Sequence, residues 1–248
     1  MTVSVYLREE ELERIGEQVF EDYRKLPEAW TGRVLMRVQP ELLLKKQLGL
    51  KIVYRDLRRL PKLLNDPSAM PPLGYSFPDD DGPGEFEDPE TGVWYPANSR
   101  AVVIEEKLLE KEETGRRNFT MAHEASHHIL WHLFPKTRPA DPHTVICRHV
   151  GRPVSREEWQ ADRLASAILM PRCLVEQAMF FARQEKAFRI LDAGAHPEEY
   201  ERFCNMCGML GVSKQALGIR MKRLGLLERM CRPFQSMDIY MEDDEKDG

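Results

Sequence analysis

The sequence predicts a helix-rich α+β fold with a small β-sheet and a helical C-terminal subdomain. Residues 8–25 repeat apolar side chains at the spacing of one helix face, which indicates an amphipathic helix. Two short segments, 50–55 and 101–104, are rich in β-branched residues and predict strands. Beyond residue 105 helical patterns predominate. A chain of 248 residues is long enough to bury a core around these elements.

Local signals place each element along the chain. The apolar face of the first helix consists of Leu12, Ile15, Val19, Phe20 and Tyr23. A second helix over 40–48 begins at Pro40 and ends before Gly49, because proline favours the first turn of a helix and glycine its end. The later helices are predicted at about 105–112, 118–132, 156–170, 173–190, 197–209 and 213–224.

Residues 66–100 differ in composition from the rest of the chain. The stretch contains seven prolines, and seven acidic residues fall between positions 79 and 90 without a basic residue. Prolines and clustered charge disfavour a packed core, so we expect a long solvated loop. A hairpin around residues 93–95 is the one regular element that its pattern allows.

The overall composition excludes several classes of protein. The net charge of −5 and the isoelectric point near 5.9 exclude a uniformly basic nucleic-acid coat. No apolar run approaches the roughly 18 residues that a membrane span needs, and the N-terminus becomes acidic before a signal-peptide core could form. Five cysteines, an odd number, do not indicate a disulfide framework. We therefore expect a cytoplasmic protein without a membrane segment.

Residues 123–127 have the spacing of a metal-binding helix. His123 and His127 lie about 40° apart around a helix axis, so both imidazoles can reach one ion. Glu124 lies about 100° round from His123, where a carboxylate can flank a water molecule without binding the metal. The alternative is a helix with two unrelated surface histidines. The mostly apolar residues around the motif favour a buried helix, in which both histidines need partners.

A third ligand has to come from outside this helix. A metzincin would have glycine and histidine at the positions that Leu130 and Leu133 occupy, so that subclass is excluded. The candidate is Glu158, at the start of the next predicted helix. The same spacing also fits a capping box, in which Ser155 caps the helix and Glu158 returns to the cap amide, and the residues alone leave both interpretations open. Asp162, one turn further on, is placed to hydrogen-bond a ligand histidine.

Two segments together carry a more specific pattern. Residues 117–130 read Arg-Asn-Phe-Thr-Met-Ala-His-Glu-Ala-Ser-His-His-Ile-Leu, and residues 158–171 read Glu-x-x-Ala-Asp-x-Leu-Ala-x-x-Ile-Leu-Met-Pro. In this order they resemble the ImmA/IrrE family of metallopeptidases. The segments 40–54 and 211–227 resemble further parts of that family. Three positions depart from the usual residues of the family and leave its ligand positions intact: Ala125, Ser126 and Asp162.

This resemblance implies a zincin-like metallopeptidase domain. It implies one Zn²⁺ per chain, held by His123, His127 and Glu158 in a gluzincin-like set, with Glu124 as the general base of an endopeptidase. Members of the family typically cleave a helix-turn-helix repressor and so derepress genes of stress responses or mobile elements, which implies such a partner here. In other zincins a strand beside the site pairs with an extended substrate, and residues 101–104 are the candidate strand.

The predicted organisation has three parts. A zincin-like metallopeptidase domain occupies residues 1–172 and includes the acidic loop 66–100. A helical C-terminal subdomain with a helix-turn-helix-like segment follows at 173–235, and an acidic disordered tail ends the chain at 236–248.

Two features of the C-terminal subdomain bear on other functions. Six basic residues against one acidic residue give segment 214–232 a net charge of +5. This charge supports the alternative interpretation, a DNA-binding or scaffold protein with a structural zinc site, although direct DNA binding is not the expected function. Cys204 and Cys207 form a pair without a second pair nearby, so we interpret them as small buried residues and assign no ligand to them.

Overall fold

The computed structural model describes residues 6–60, 71–77, 84–135, 146–147 and 155–230. The chain divides into two compact units, Met1–Pro171 and Arg172–Gly248. The architecture is the helix-rich α+β fold that the sequence predicts, with small sheets in both units. The predicted acidic tail lies outside the described residues.

The first unit contains the two helices that carry the motif residues. Its helices are α1 (Glu9–Tyr23), α2 (Pro40–Leu42, continued by a π-helical segment Leu43–Gln47), α3 (Thr114–Leu133) and α4 (Arg156–Leu169). Its strands are β1 (Lys51–Arg55), β2 (Gly74–Ser76), β3 (Gly84–Glu87), β4 (Trp94–Ala97), β5 (Ala101–Glu105) and β6 (Ile146–Cys147). The predicted helix 105–112 is instead two short 3₁₀ segments, Glu106–Leu109 and Lys111–Glu113.

The main sheet has the strand order β1-β5-β2-β6. β5 runs parallel to β1 and antiparallel to β2, so a neighbouring strand occupies each of its edges. All five residues of β5 are buried. The expectation that residues 101–104 pair with a substrate is therefore wrong, because the backbone groups of this strand are already engaged within the sheet.

Part of the predicted solvated loop 66–100 belongs to the core. All three residues of β2 are buried, and β3 and β4 form a hairpin at the expected place. The hydroxyl of Tyr75 donates to the carbonyl oxygen of Pro96 at 2.9 Å, which joins the hairpin to the sheet. A strand of three residues beside prolines produces no alternating pattern, so its sequence gives no strand signal. Residues 66–70 and 78–83 of the stretch lie outside the described residues.

α1 and α4 pack closely within the first unit. A Cβ on Gly16 of α1 would lie 2.6 Å from the Cβ of Ala167 on α4, which is shorter than real contacts between such atoms. The backbone N–H of Leu7 donates to Oε1 of Gln160 at 2.8 Å and fixes the chain that leads into α1. The two helices can approach this closely because small residues face each other where they meet.

We expect Gly16→Ala to lower the free energy of unfolding by about 1–3 kcal/mol, because the new methyl group meets a Cβ that cannot rotate away. The higher helix propensity of alanine acts in the opposite direction by roughly 0.5–1 kcal/mol. A net decrease in the free energy of unfolding therefore shows that the steric effect on packing is the larger one. Gly208→Ala is the control, since nothing lies within 4 Å of that Cβ position, and it should be neutral or stabilising. Urea denaturation followed by circular dichroism measures both variants. Equal effects would contradict the close packing.

The second unit mixes helices with a parallel pair of strands. It contains α5 (Arg172–Phe181), β7 (Phe188–Leu191), α6 (Pro197–Leu210), α7 (Lys214–Arg223) and β8 (Leu227–Met230), and β7 pairs with β8. The helical subdomain therefore also contains a sheet that the sequence did not predict, and the one helix predicted over 173–190 is instead α5 followed by β7. The helical stretch stops because Arg183 adopts a left-handed conformation with φ of 57°, and Phe188 and Leu191 of the following strand are buried.

No described helix is long and apolar enough to cross a membrane alone. α4 and α5 have the necessary length and composition only when they are counted together as one bent span.

Candidate metal centre

The motif residues lie in the buried middle of α3. His123 and Glu124 are fully buried, and His127 is almost fully buried. Their neighbours on the helix, including Met121, Ala122 and Leu130, are buried as well. These three polar side chains of α3 therefore lie in apolar surroundings, where each of them needs a partner.

Glu158 brings a carboxylate to both histidines. Its Oε2 lies 3.1 Å from Nε2 of His123, and its Oε1 lies 3.1 Å from Nε2 of His127. The two Nε2 atoms are also 3.1 Å apart. The three side chains thus form a small triangle of nitrogen and oxygen atoms, which we call the His-His-Glu triangle. The structure brings together the three residues to which the sequence and the resemblance point.

The first turn of α4 explains how Glu158 reaches the histidines. Ser155 caps the helix, since its Oγ accepts a hydrogen bond from the backbone N–H of Glu158 at 3.2 Å. The side chain of Glu158 lies against His123 and His127. Ser155 therefore fulfils the capping role, while the carboxylate of Glu158 is used at the triangle. This geometry favours the ligand interpretation over the capping box.

Asp162 contacts the other ring nitrogen of His123. Its Oδ1 lies 2.9 Å from Nδ1 of that imidazole. A neutral imidazole that donates from Nδ1 has an unprotonated Nε2, so once a metal ion displaces the Nε2 proton this contact would direct the lone pair of His123 into the triangle. Asp162 follows Glu158 by one helical turn and faces the same histidine, as the sequence spacing predicts.

The pKa values of His123 and Glu158 are shifted by neighbouring side chains, so that the charged form of each is stabilised. Burial alone would lower the pKa of His123, but the carboxylates of Asp162 and Glu158 raise it to about 10. Burial would raise the pKa of Glu158, but hydrogen bonds with both histidines hold it well below its usual range. The site thus combines an ionised carboxylate of Glu158 with an imidazole of His123 that holds its proton tightly. A metal ion can take the place of the proton in such a site.

Glu124 lies beside β2. Its Oε2 accepts a hydrogen bond from the hydroxyl of Ser76 at 2.5 Å, and Ser76 is itself fully buried. Its Oε1 is buried and has no hydrogen-bond partner among the described residues. Burial raises the pKa of Glu124, against the opposing influence of His123 and His127. The sequence does not point to Ser76, because its surroundings are rich in proline and glycine and predict a loop.

The His-His-Glu triangle has the dimensions of a metal site. In tetrahedral zinc coordination with bonds of about 2.0 Å, neighbouring ligand atoms lie about 3.3 Å apart. The distance between the two Nε2 atoms and the distance from each of them to its nearer oxygen of Glu158, a different oxygen for each histidine, are all 3.1 Å and close to this value. Each oxygen of the Glu158 carboxylate thus lies beside one histidine nitrogen, and such a carboxylate can bind a cation in place of the imidazole protons. Within the described part of the chain, this is the one group of three such side chains that could hold a metal ion.

Asp162→Ala is expected to weaken zinc binding by about 10–100-fold, because partners that orient a ligand histidine typically contribute that much to metal affinity. Asp162→Asn is the matched control, since its amide oxygen can still accept from Nδ1 of His123 and should retain most of the affinity. Competition with a chromogenic chelator measures both constants. Unchanged affinity in Asp162→Ala would show that His123 is held without this carboxylate.

The cysteine pair and the basic segment of the C-terminal subdomain contribute no residue to the His-His-Glu triangle. Cys207 is buried, and burial raises the pKa of its thiol to about 12, which agrees with a structural residue. Cys204 is half-buried. Arg220 is 1% exposed, so it does not contribute to a basic surface, and Nζ of Lys214 donates to the hydroxyl of Tyr200 at 3.2 Å. The exposed basic face is therefore smaller than the sequence indicates.

Comparison with known families agrees with this geometry. Residues 108–191 match the Peptidase_M78 family model, described as the IrrE N-terminal-like domain. The match includes α3 and α4, which carry the triangle, and it supports the ImmA/IrrE membership that the two motifs indicate. The family implies a metallopeptidase-type function. No curated protein matches the chain at a significant level.

Proposed function

We propose that this chain, which carries the peptidase domain of the ImmA/IrrE family at residues 108–191, is a zinc-dependent endopeptidase. Its substrate is a helix-turn-helix transcriptional repressor in the cytoplasm, and cleavage derepresses stress-response or mobile-element genes. The observation that carries the proposal is the His-His-Glu triangle, with the buried carboxylate of Glu124 on the same helix.

Zinc suits this donor set. His123 and His127 would hold it through Nε2, and Glu158 would hold it through its carboxylate. The chemistry that zinc supplies in such a site is polarisation of the scissile carbonyl and acidification of water. A structural zinc site is closed by a fourth protein ligand, whereas the described residues bring three ligands together. Three ligands are typical of catalytic sites, which keep one position open.

Glu124 carries out the proton transfers of the proposed reaction. Its carboxylate takes a proton from the water that attacks the scissile carbonyl carbon and delivers it to the leaving amine nitrogen. Burial raises its pKa and so makes it a stronger base than a solvated carboxylate. Asp162 keeps the imidazole of His123 in one orientation during these transfers.

The repressor substrate is proposed from the family resemblance of segments 117–130 and 158–171. To test it, the zinc-loaded chain is incubated with a native proteome of its host, and new protein N-termini are identified by mass spectrometry. We expect a cleavage within a helix-turn-helix repressor that the Glu124→Gln variant does not produce. Cleavage confined to proteins of another class would reject the repressor and retain the peptidase. No cleavage by a fully zinc-loaded sample would reject both.

The alternative, a DNA-binding or scaffold protein with a structural zinc site, has less support. The burial of Arg220 removes one cation from the segment that would meet phosphates. The DNA-binding form of the alternative requires retention on DNA that falls steeply with salt, because each phosphate contact releases counterions. Weak binding that does not depend on salt would exclude that form.

A further inference from the structure

We propose that Ser76 is the positioning residue of Glu124. Its buried hydroxyl holds Oε2 of the carboxylate and thereby fixes the direction in which Oε1 meets the attacking water. The inference rests on the proposed peptidase function, since it gives Ser76 a role in that reaction. Ser76 acts through Glu124 and does not touch the reacting atoms.

The hydrogen bond between Ser76 and Glu124 is short and is buried away from solvent. The hydroxyl of Ser76 donates to Oε2 of Glu124 at 2.5 Å, and both residues are 0% exposed. This distance is at the short end of the range for O–H···O hydrogen bonds. Among the described residues, Ser76 is the hydrogen-bond partner of this carboxylate, and Oε1 has none. One oxygen is therefore anchored and the other is left as an acceptor.

Gly74 lets β2 come near enough to make this contact. A Cβ at Gly74 would lie 2.9 Å from Cγ2 of Thr120 and 3.1 Å from Oε1 of Glu124. It would also lie 3.2 Å from the carbonyl oxygen of Val103 on β5, which cannot move aside without disturbing the sheet. The strand is thus fitted against α3 at Glu124, with glycine where the space is smallest and serine where a donor is needed.

The sheet keeps Ser76 in place. β2 pairs with β5 on one edge and with β6 on the other. The carbonyl oxygen of Leu73, just before the strand, accepts from the N–H of Glu105 at 2.9 Å. The side chain between Gly74 and Ser76 is that of Tyr75, which is buried and bonded to the hairpin through Pro96. The donor therefore sits on a strand that is bonded on both sides.

A glutamate side chain has three rotatable bonds, so an unanchored Glu124 would sample several directions for its free oxygen. Holding Oε2 removes most of that freedom before the substrate arrives. Misplacement of a catalytic group by about 1 Å can lower a rate by about 10²-fold. The effect of losing Ser76 should therefore appear in kcat, while substrate binding and metal binding remain.

Isotope-edited infrared spectroscopy of the metal-free full chain tests the contact without any activity assay. With ¹³C-labelled glutamate, subtraction of the Glu124→Gln spectrum isolates the carboxylate stretch of Glu124. We expect Ser76→Ala to shift this band, because Oε2 loses its donor. The control is Ser126→Ala, which removes a buried hydroxyl of α3 that donates to the carbonyl oxygen of Ala122 at 2.7 Å and not to Glu124. An unshifted band in Ser76→Ala would overturn the proposal.

Kinetics test the role in the reaction. The probe is the peptide that the zinc-loaded wild type cleaves fastest in a quenched-fluorescent library. We expect Ser76→Ala to lower kcat by about 10–100-fold with KM within about twofold and zinc content unchanged. Ser126→Ala should leave kcat near the wild-type value. A loss of similar size in Ser126→Ala, or a loss of zinc in Ser76→Ala, would overturn the positioning role.

The pair Ser76→Thr and Ser76→Val separates the hydroxyl from the packing, and it replaces Ser76→Ala if that variant does not fold. Threonine and valine have nearly the same shape, and threonine alone keeps the hydroxyl donor. Higher kcat in the threonine variant supports the proposal, and equal kcat in both overturns it. A wild type that binds no zinc or cleaves no peptide would reject the peptidase function and the positioning role together, whatever the infrared band shows.

Discussion

Glu124→Gln should bind zinc as tightly as the wild type and hydrolyse peptides about 10²–10⁴-fold more slowly. This expected decrease in rate is the usual contribution of a general base to catalysis. Glutamine has nearly the same shape as glutamate and keeps an oxygen that can accept from Ser76, so the fold and the triangle are expected to stay intact. It cannot accept a proton from water, which is the step assigned to Glu124. Elemental analysis and a peptide cleavage assay on the same sample measure both quantities.

The comparison with His123→Ala makes this prediction specific. That variant removes a nitrogen of the triangle, so it should lose the metal and the activity together. Two outcomes would contradict the role of Glu124. If Glu124→Gln loses its zinc, the residue belongs to the ligand set, and if its activity stays near the wild-type value, another group takes the proton.

The sequence predicts the site better than it predicts the sheet. The spacing of His123 and His127 points to one helix face, and the structure places both in the buried part of α3. The position of Asp162, one turn beyond Glu158, is also visible in the sequence, because helical periodicity relates residues on the same element. Contacts within one helix follow from local spacing, and those between α3 and α4 needed the resemblance to the ImmA/IrrE family.

The residues that the sequence does not reveal lie on short strands. Gly74 and Ser76 belong to a strand of three residues, too short to show alternation, and they meet α3 through contacts far apart along the chain. β7 and β8 are hard to predict from the sequence for the same reason, since each has four residues and lies next to a stronger helical pattern. Strand pairing over a long sequence separation is a property of the fold, and local propensity does not encode it.

Local spacing is also insufficient where two interpretations use the same residues. Ser155 and Glu158 fit a capping box, and Ser155 does cap α4. Whether Glu158 completes the box or joins the histidines depends on the position of α3, which lies in another part of the sequence. In the structure the carboxylate contacts His123 and His127 at 3.1 Å each. The two roles make opposite predictions for metal binding, so substitutions can separate them.

Glu158→Ala should abolish stoichiometric zinc binding and, with it, the stabilisation that zinc gives to the folded chain. A ligand present at about 1,000 times its dissociation constant raises the free energy of unfolding by about 4 kcal/mol. The wild type should therefore unfold at a clearly higher temperature with zinc than without it, whereas Glu158→Ala should show almost no difference. Differential scanning calorimetry with and without zinc measures this gap, and it requires no substrate.

Ser155→Ala is the matched control, because it removes the cap of the same helix and leaves the triangle in place. Loss of an N-cap serine costs about 1 kcal/mol, so this variant should be less stable both with and without zinc, while the gap between the two conditions stays as in the wild type. Loss of the cap thus lowers the stability measured in both conditions, whereas loss of the ligand removes the difference between the two conditions. If Glu158→Ala instead kept the zinc-dependent gap and lost only the stability that Ser155→Ala loses, Glu158 would be a capping residue. The third ligand would then have to be sought outside α4.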